Sequence, residues 1–340
     1  MTTDHEAVRE LLGAWAVGAL MPGDERTVTP HLADCDRCAA EAGRLRATVR
    51  DLGGPPLADP GPGPAPAERG LALALRTRPA ASRTAAHAAP YAAAVAGLQA
   101  LLGELAEREA WGTPVVHDWD VHDTVAHLLA ADEPLAVRLG LRAPSAWDGA
   151  DGTPWRVAWA ARTEEVLARE RVRSPAETIE SWRNQATALL SSPEAHDPEL
   201  AGRATMLMGA RLPLADHFLV RAFEAWVHTD DIGRALDMPV PPPRTAHLWQ
   251  MVRLAVRILE LAMGSKAPDV ALTVSGEGGE VSWILGSGAE PVSAELVLDP
   301  VDFCLLMGGR VDPAVVPRGI SGSEAAAGRV LTRAASLAWL

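Results

Sequence analysis

The chain has 340 residues, 48% of them apolar, and a formal charge of −13. This length allows two or three domains with hydrophobic cores, and the negative charge argues against a broad phosphate-binding surface, so no nucleic-acid partner is expected. No apolar stretch reaches the ~20 residues that span a bilayer, and the N-terminus lacks the basic flank of a signal peptide. A cytoplasmic protein with no membrane segment is therefore expected.

Residues 1–52 are predicted to form a small helical module. Apolar residues recur at the spacing of one helix face between residues 8 and 20, and a second helical pattern runs through residues 41–49. Residues 53–90 begin with a run rich in proline and glycine, which favours an extended linker. This linker also contains a short segment, Leu71–Arg78, that could form a helix.

Residues 91–240 are predicted to form a four-helix bundle, because four long segments with a helical period are joined by longer connections. The helical segments are 91–109, 120–138, 174–191 and 212–236. The connection at 139–173 is long and rich in tryptophan.

Residues 241–340 are predicted to form a small α+β domain. A helix at about 244–263 leads into strands near 270–274, 281–285 and 296–298, followed by helices near 300–308 and 323–337. A turn at Gly276–Gly279 joins the first two strands into a hairpin. The expected fold class is thus mainly α, with a zinc-bound helical N-terminal module, a four-helix bundle and this C-terminal domain.

The N-terminal module carries one histidine and two cysteines at the spacing of a zinc site. Cys35 follows His31 by four positions and Cys38 follows by three more, so a helical turn can direct all three side chains toward one ion. In a reducing compartment this cysteine pair indicates metal binding rather than a disulfide. Structural zinc takes four ligands, and His5 is the best candidate for the fourth. The alternative is a chance surface pair of cysteines near a histidine.

This segment resembles the zinc-binding anti-sigma factor family, in which a His…His-x3-Cys-x2-Cys pattern accompanies a helix such as His5–Leu20. The resemblance implies that the zinc-bound helices, with one following helix such as Leu71–Arg78, contact a sigma factor and regulate transcription. It also leaves two roles open for Cys35 and Cys38. They hold either a closed structural zinc or a redox switch that loses the metal when the thiolates are oxidised.

A second set of metal-binding residue types lies on two helices of the predicted bundle. Glu224 and His228 are four positions apart and share one helix face, which Asp231 continues. His127 lies on another helix, four positions after Asp123. Two imidazoles and one carboxylate leave zinc with an open position, as catalytic sites need. The alternative is that both histidines are buried and hydrogen-bonded without a metal.

The segments Trp119–Leu128 and Arg221–Ile232 resemble the motifs of the mycothiol-dependent maleylpyruvate isomerase family, within the DinB-like four-helix fold. This resemblance extends over roughly residues 91–340 and implies a C-terminal domain similar to sterol-carrier proteins. It implies that His127, Glu224 and His228 hold a second zinc ion. Asp231, just beyond the last of these ligands in the sequence, would then orient one of the zinc ligands without binding the metal itself.

The same resemblance implies further parts of a reaction site. Arg310 fits the family's terminal pattern and could hold a carboxylate in the metal cleft, although a solvated arginine at a helix end is the alternative. Arg310 and Asp231 are thus the candidate catalytic residues. Cys304 lies on an apolar helix, so a nucleophilic thiol would come from outside, as mycothiol does in the family. A small-molecule thiol or an organic acid is the expected ligand.

Two functions follow from these motifs. The favoured one is a regulator in which the anti-sigma-like module binds a sigma factor and the isomerase-like domain senses a ligand or a thiol. The alternative is a zinc- and mycothiol-dependent isomerase or thiol transferase whose N-terminal module serves assembly. An adaptor with two structural zinc ions is a third interpretation, so whether the chain is an enzyme is left open.

Overall fold

The computed structural model describes residues 5–16, 20, 22–52, 84–106, 110–141, 154–264, 267, 269–286 and 291–337. The chain divides into two compact units, Met1–Ala81 and Ser82–Leu340. The expected fold class is confirmed, because the first unit is helical and the second combines long helices with small sheets. The segment Leu71–Arg78, which could form a helix, lies outside the described residues.

Within its described residues, the first unit consists of α1 (His5–Ala16), α2 (Pro22–Asp34) and α3 (Asp36–Leu52). The three helices contact one another around a small buried cluster. Its fully buried members are Val8, Leu12, Val28, Cys38 and Ala42. A core of this size rarely stabilises a module alone, so a bound metal ion would contribute substantially to its folding.

The second unit begins with the helices of the bundle. They are α4 (Ala89–Ala106), α5 (Val121–Arg138), α6 (Trp155–Glu170) and α7 (Pro175–Ser191), then the short α8 (Pro193–His196) and α9 (Pro198–Ala201), and finally α10 (Leu214–Ala235). α10 packs along α4, while α5 packs along α6 and α7. The four predicted helices are therefore present, and α6 is an additional helix in the region that was predicted to be a connection.

Local sequence signals explain where two of these helices begin. The Asp120 side chain accepts a hydrogen bond from the backbone N–H of Asp123 and caps α5. Ser174 and Glu177 form a capping box at the start of α7. These caps fix where α5 and α7 begin, and α5 carries His127.

Two short hairpins flank the bundle helices. β1 (Pro114–Val116) pairs with β2 (Trp119–Asp120) before α5, and β3 (Ala204–Leu207) pairs with β4 (Ala210–Pro213) before α10. The first hairpin contacts both α5 and α10, and it brings Trp119 of β2 against His127 of α5.

The C-terminal part contains a four-stranded sheet with helices on one face. Its elements are α11 (Thr245–Met263), β5 (Val270–Gly276), β6 (Gly279–Leu285), β7 (Ala294–Leu298), α12 (Pro300–Met307), β8 (Gly319–Gly322) and α13 (Glu324–Ala335). The strand order is β6-β5-β7-β8; β5 and β7 are parallel, and the other neighbours are antiparallel. A continuous hydrophobic cluster joins this sheet to the bundle.

Among the described helices, none is both long enough and apolar enough to cross a membrane.

Candidate metal centres

The first unit brings together the four donors predicted for a zinc site. His5 lies on α1, His31 near the end of α2, Cys35 between α2 and α3, and Cys38 in the first turn of α3. One donor atom from each residue lies within 4.8 Å of the other three. The Sγ atoms of Cys35 and Cys38 are 3.7 and 3.6 Å from Nδ1 of His5. Two ligands of a tetrahedral zinc ion lie roughly 3.3–3.6 Å apart, so this spacing suits zinc.

The donors reach this arrangement across a helix break rather than along one helical turn. α2 ends at Asp34 and α3 begins at Asp36, while the carbonyl of Cys35 accepts the N–H of Ala39. Nε2 of His31 is buried and has no hydrogen-bond partner among the described residues. Burial, together with the neighbouring Cys35, raises the pKa of Cys38. A cation would supply a partner for His31 and stabilise the two thiolates, so the donor set fits a zinc ion.

The second unit brings together His127 of α5 with Glu224 and His228 of α10. One donor atom from each lies within 4.8 Å of the others, and all three residues are buried. His127 Nε2 is 3.0 Å from Glu224 Oε1, and the two imidazole rings are 4.9 Å apart at an angle of 72°. Three converging donors leave a fourth position open, unlike the set of four in the first unit.

His228 is held so that one ring nitrogen faces the other two donors. Its Nδ1 lies 3.1 Å from Asp231 Oδ2, which favours a proton on Nδ1 and leaves the lone pair on Nε2. Nε2 is buried without a hydrogen-bond partner in the described structure. Burial lowers the pKa of His228 to about 4, so the ring is neutral at neutral pH. An unpaired, neutral imidazole nitrogen is what a metal ion binds, and this set therefore also fits zinc.

Arg310 reaches this site and pairs with Asp231. Its Nε and Nη2 atoms donate to the Asp231 carboxylate at 2.7–3.1 Å, and both side chains are largely buried. Although burial acts in the opposite direction, the hydrogen bonds from His228 and Arg310 hold the pKa of Asp231 below its usual value. Arg310 thus supports the carboxylate that orients His228, and its binding of a substrate carboxylate stays a prediction.

Arg221 forms an ion pair with Glu224 one turn later on α10. Its guanidinium also donates to the backbone carbonyl of Ala131 on α5, at 2.6 Å. Burial by itself would raise the pKa of Glu224, but the charge of Arg221 and the hydrogen bond with His127 lower it to about 2. Glu224 is therefore ionised at neutral pH, as a metal ligand must be.

Aromatic side chains surround His127. Trp119 of β2 stacks on its ring at 4.6 Å, and Trp159 of α6 contacts it edge-on at 5.9 Å. His117, in the β1–β2 turn with φ of 54°, packs against Trp119 at 5.1 Å. Trp159 was missed because it lies in the region predicted as a connection, where the weak apolar pattern of α6 gave no helical signal.

Other residues near the motifs have different partners. Asp123, four positions before His127, forms a two-point ion pair with Arg171. His217 lies 3.4 Å from the carbonyl of Thr205 and does not join the donor set. Cys304 is fully buried, as expected for a core residue, and burial raises its pKa.

Comparisons with known families agree with both resemblances. Residues 91–233 match the family model described as "Mycothiol maleylpyruvate isomerase N-terminal domain". Residues 6–39 match the model described as "Putative zinc-finger", a range that includes His31, Cys35 and Cys38 and begins one residue after His5. Both resemblances inferred from the sequence are confirmed over these ranges, and the chain joins a zinc-finger-like segment to an isomerase-like domain. The extension of the isomerase resemblance to residue 340, with a C-terminal domain similar to sterol-carrier proteins, stays a prediction. No curated protein matches the chain in sequence.

Two solved structures are similar to part of the chain. One is the crystal structure of the mycothiol-dependent maleylpyruvate isomerase, with a TM-score of 0.47 and 13% identity, covering 66% of this chain and 88% of that one. The other is a histidine-to-alanine mutant of that enzyme, with a TM-score of 0.47 and 13% identity, covering 68% of this chain and 91% of the other.

Proposed function

We propose that this chain is a zinc-binding regulator in which an anti-sigma-like module is coupled to a domain that binds a thiol or another small ligand at a second zinc ion. The supporting observation is the contrast between the two donor sets. His5, His31, Cys35 and Cys38 offer four ligands, two of them thiols, whereas the second set offers three. A complete set suits a structural or redox-sensitive ion, and an incomplete set suits a ligand-binding ion.

The second set has the electrostatic features that a ligand-binding zinc needs. His228 is neutral and oriented by Asp231, while Glu224 is ionised and paired. Zinc bound there would act as a Lewis acid and lower the pKa of a bound thiol. The residues of the chain would hold the ion, keep one coordination position free and shield it with Trp119 and Trp159.

Metal analysis of the full chain tests the two zinc ions. The wild type should bind two equivalents of zinc, and Cys38→Ala and His228→Ala should each bind about one. A wild type that retains a single equivalent, lost only on substitution of Cys38, would show that the second set does not hold zinc.

Co-purification with the sigma factors of the host tests the regulatory role. We expect the wild type to bind one sigma factor and inhibit transcription initiation from its promoter, and Cys38→Ala to lose both properties. If the wild type binds none of the sigma factors of the host, this role is ruled out.

The alternative function is a zinc- and mycothiol-dependent isomerase or transferase, which the placement of Arg310 beside the second set favours. It predicts that Glu224→Ala abolishes a mycothiol-dependent reaction while the circular dichroism spectrum is unchanged. If mycothiol neither binds the zinc-loaded chain nor is consumed with any substrate tested, this alternative fails.

A further inference from the structure

Two carboxylates at the second donor set, the donor Glu224 and Asp231 beside His228, are each paired with an arginine. Arg221 pairs with Glu224, and Arg310 pairs with Asp231. The side-chain exposures are 4% and 1% for the first pair and 8% and 7% for the second. Charges this well buried are weakly screened by solvent, so each pair is close to electrically neutral as seen from the metal position.

The position of Arg221 is fixed independently of Glu224. Its guanidinium donates to the carbonyl of Ala131, which ties α10 to α5. Asp132, the next residue on α5, is also buried near Arg221, but burial raises its pKa to about 7 and its oxygen accepts a hydrogen bond from Tyr91 at 2.6 Å. At neutral pH Asp132 is therefore only a partial counter-charge for Arg221, whereas Glu224 is fully ionised.

This pairing changes the net charge that a bound metal ion would have. His127 and His228 bind metals as neutral imidazoles, and Glu224 is the only anionic ligand that the set supplies. Because Arg221 cancels that anion, a Zn²⁺ ion held here keeps nearly its full double positive charge. A cation with so little compensation favours an anionic ligand in its open position over a neutral one.

We propose that Arg221 is a positioning residue that sets the ligand preference of this site: by pairing with Glu224 it makes the metal select an anion, such as a thiolate or carboxylate, over a neutral ligand. This inference rests on the proposed function, because it requires a metal at the second donor set. It adds the charge class of the ligand and the residue that determines it.

The competing explanation is that Arg221 serves stability alone, by satisfying a buried carboxylate. The two explanations predict different ratios between the affinities for anionic and for neutral ligands. If Arg221 acts through charge, removing the charge weakens anionic ligands selectively. If it acts through structure, a distorted site binds anionic and neutral ligands equally badly.

Calorimetric titration of the zinc-loaded full chain measures that ratio, with azide as the anionic probe and imidazole as the neutral one. Arg221→Gln retains a hydrogen-bond donor but lacks the charge, and Arg221→Lys retains the charge. We expect Arg221→Gln to weaken azide binding by about tenfold with imidazole binding within about threefold of wild type, and Arg221→Lys to keep the wild-type ratio.

Arg162→Gln is the matched control. Arg162 forms a largely buried two-point ion pair with Glu133, between α6 and α5, and neither residue belongs to the donor set. This variant should keep the wild-type ratio of azide to imidazole affinity. If Arg221→Gln does not fold, as judged by circular dichroism, Arg221→Met is measured in its place.

The outcomes distinguish the role of Arg221 from the presence of the second zinc ion. An unchanged azide-to-imidazole ratio in zinc-loaded Arg221→Gln, or an equal loss of both ligands, overturns the role of Arg221 alone. If Glu224→Ala binds as much zinc as the wild type, the proposed second zinc is overturned, and this inference with it.

Discussion

At the scale of single residues, Asp231 decides which nitrogen of His228 is available to a metal. Its carboxylate accepts from Nδ1, so Nε2 faces the donor set. Asp231→Asn weakens this acceptor and leaves Arg310 without its anionic partner. We expect the second zinc ion to bind roughly 10–100 times more weakly, as measured by chelator competition on the full chain.

Asp230→Asn is the control for this substitution. Asp230 precedes Asp231 on α10, but its carboxylate pairs with Arg234 at 2.7 Å instead of with His228. Zinc affinity in Asp230→Asn should stay within about threefold of wild type. Equal losses in the two variants would mean that α10 tolerates neither change, and that orientation of His228 is not the cause.

Asp132 should make stability depend on pH. Burial raises its pKa from 3.8 to about 7, so between these values the folded state keeps a proton that the unfolded chain has lost. The free energy of unfolding contributed by this group is therefore greatest at low pH. It falls as the pH rises toward 7, by up to about 1.4 kcal/mol per pH unit.

Asp132→Asn stays neutral at every pH, and its amide oxygen can still accept from Tyr91. The free energy of unfolding is measured with urea at pH 5 and at pH 7. Between these two pH values, the free energy of unfolding of the variant should rise by about 2 kcal/mol relative to that of wild type. The exposed Asp118→Asn serves as the control and should gain little. A difference between Asp132→Asn and wild type that does not vary with pH would contradict the buried, protonated state of Asp132.

At the scale of elements, α10 is the helix on which the site depends, since it carries Glu224, His228 and Asp231 and is buried along most of its length. Its end packs tightly against the following chain. A Cβ atom added at Gly233 would lie 2.5 Å from Val240 Cγ2 and 2.6 Å from the carbonyl of Met238. Gly233→Ala should therefore lower the free energy of unfolding by about 1–3 kcal/mol, measured by urea denaturation.

Gly97→Ala in α4 is the matched control, because a Cβ there has no atom within 4 Å among the described residues. Alanine has a higher helix propensity than glycine, so the free energy of unfolding of this variant should rise by up to about 1 kcal/mol. The two glycine-to-alanine substitutions are thus expected to change the free energy of unfolding in opposite directions. Stabilisation by Gly233→Ala would show that α10 and the following segment can separate at little energetic cost.

Element prediction failed where the apolar pattern was weak. α6 has few buried positions, among them Thr163 and Glu170, and its Val157 is 59% exposed, so no clear apolar face marks it in the sequence. β8 is a short, glycine-containing strand whose pairing with β7 is a tertiary contact. α5 and α7, by contrast, were predicted closely because their caps are encoded within four residues.

At the scale of the whole molecule, the two donor sets lie in different compact units and differ in chemistry. Oxidation of Cys35 and Cys38 to a disulfide removes two thiolate ligands, whereas the second set contains no thiol. Mild oxidation by diamide should therefore release one zinc equivalent of two, as measured with a chromogenic chelator. Reduction should allow its return.

Cys304→Ala should behave like wild type in that experiment, because Cys304 is fully buried and burial raises its pKa. Release of both zinc equivalents on oxidation would mean that the second ion depends on the first unit. Release of neither would exclude a redox role for the first set.

The sequence by itself predicted both sets of candidate donor residues, and it determined the main helices and the strands of the C-terminal hairpin. It could do so because spacings of three and four positions, helix caps and alternating apolar residues are local signals. The meeting of His127 with Glu224, 97 positions away, was expected only from the family resemblance, and only the tertiary structure decided that Arg310 pairs with Asp231 rather than with solvent. It also placed Arg221 on Glu224. Those contacts depend on how helices pack, and one chain's spacing pattern does not encode which buried charge meets which partner.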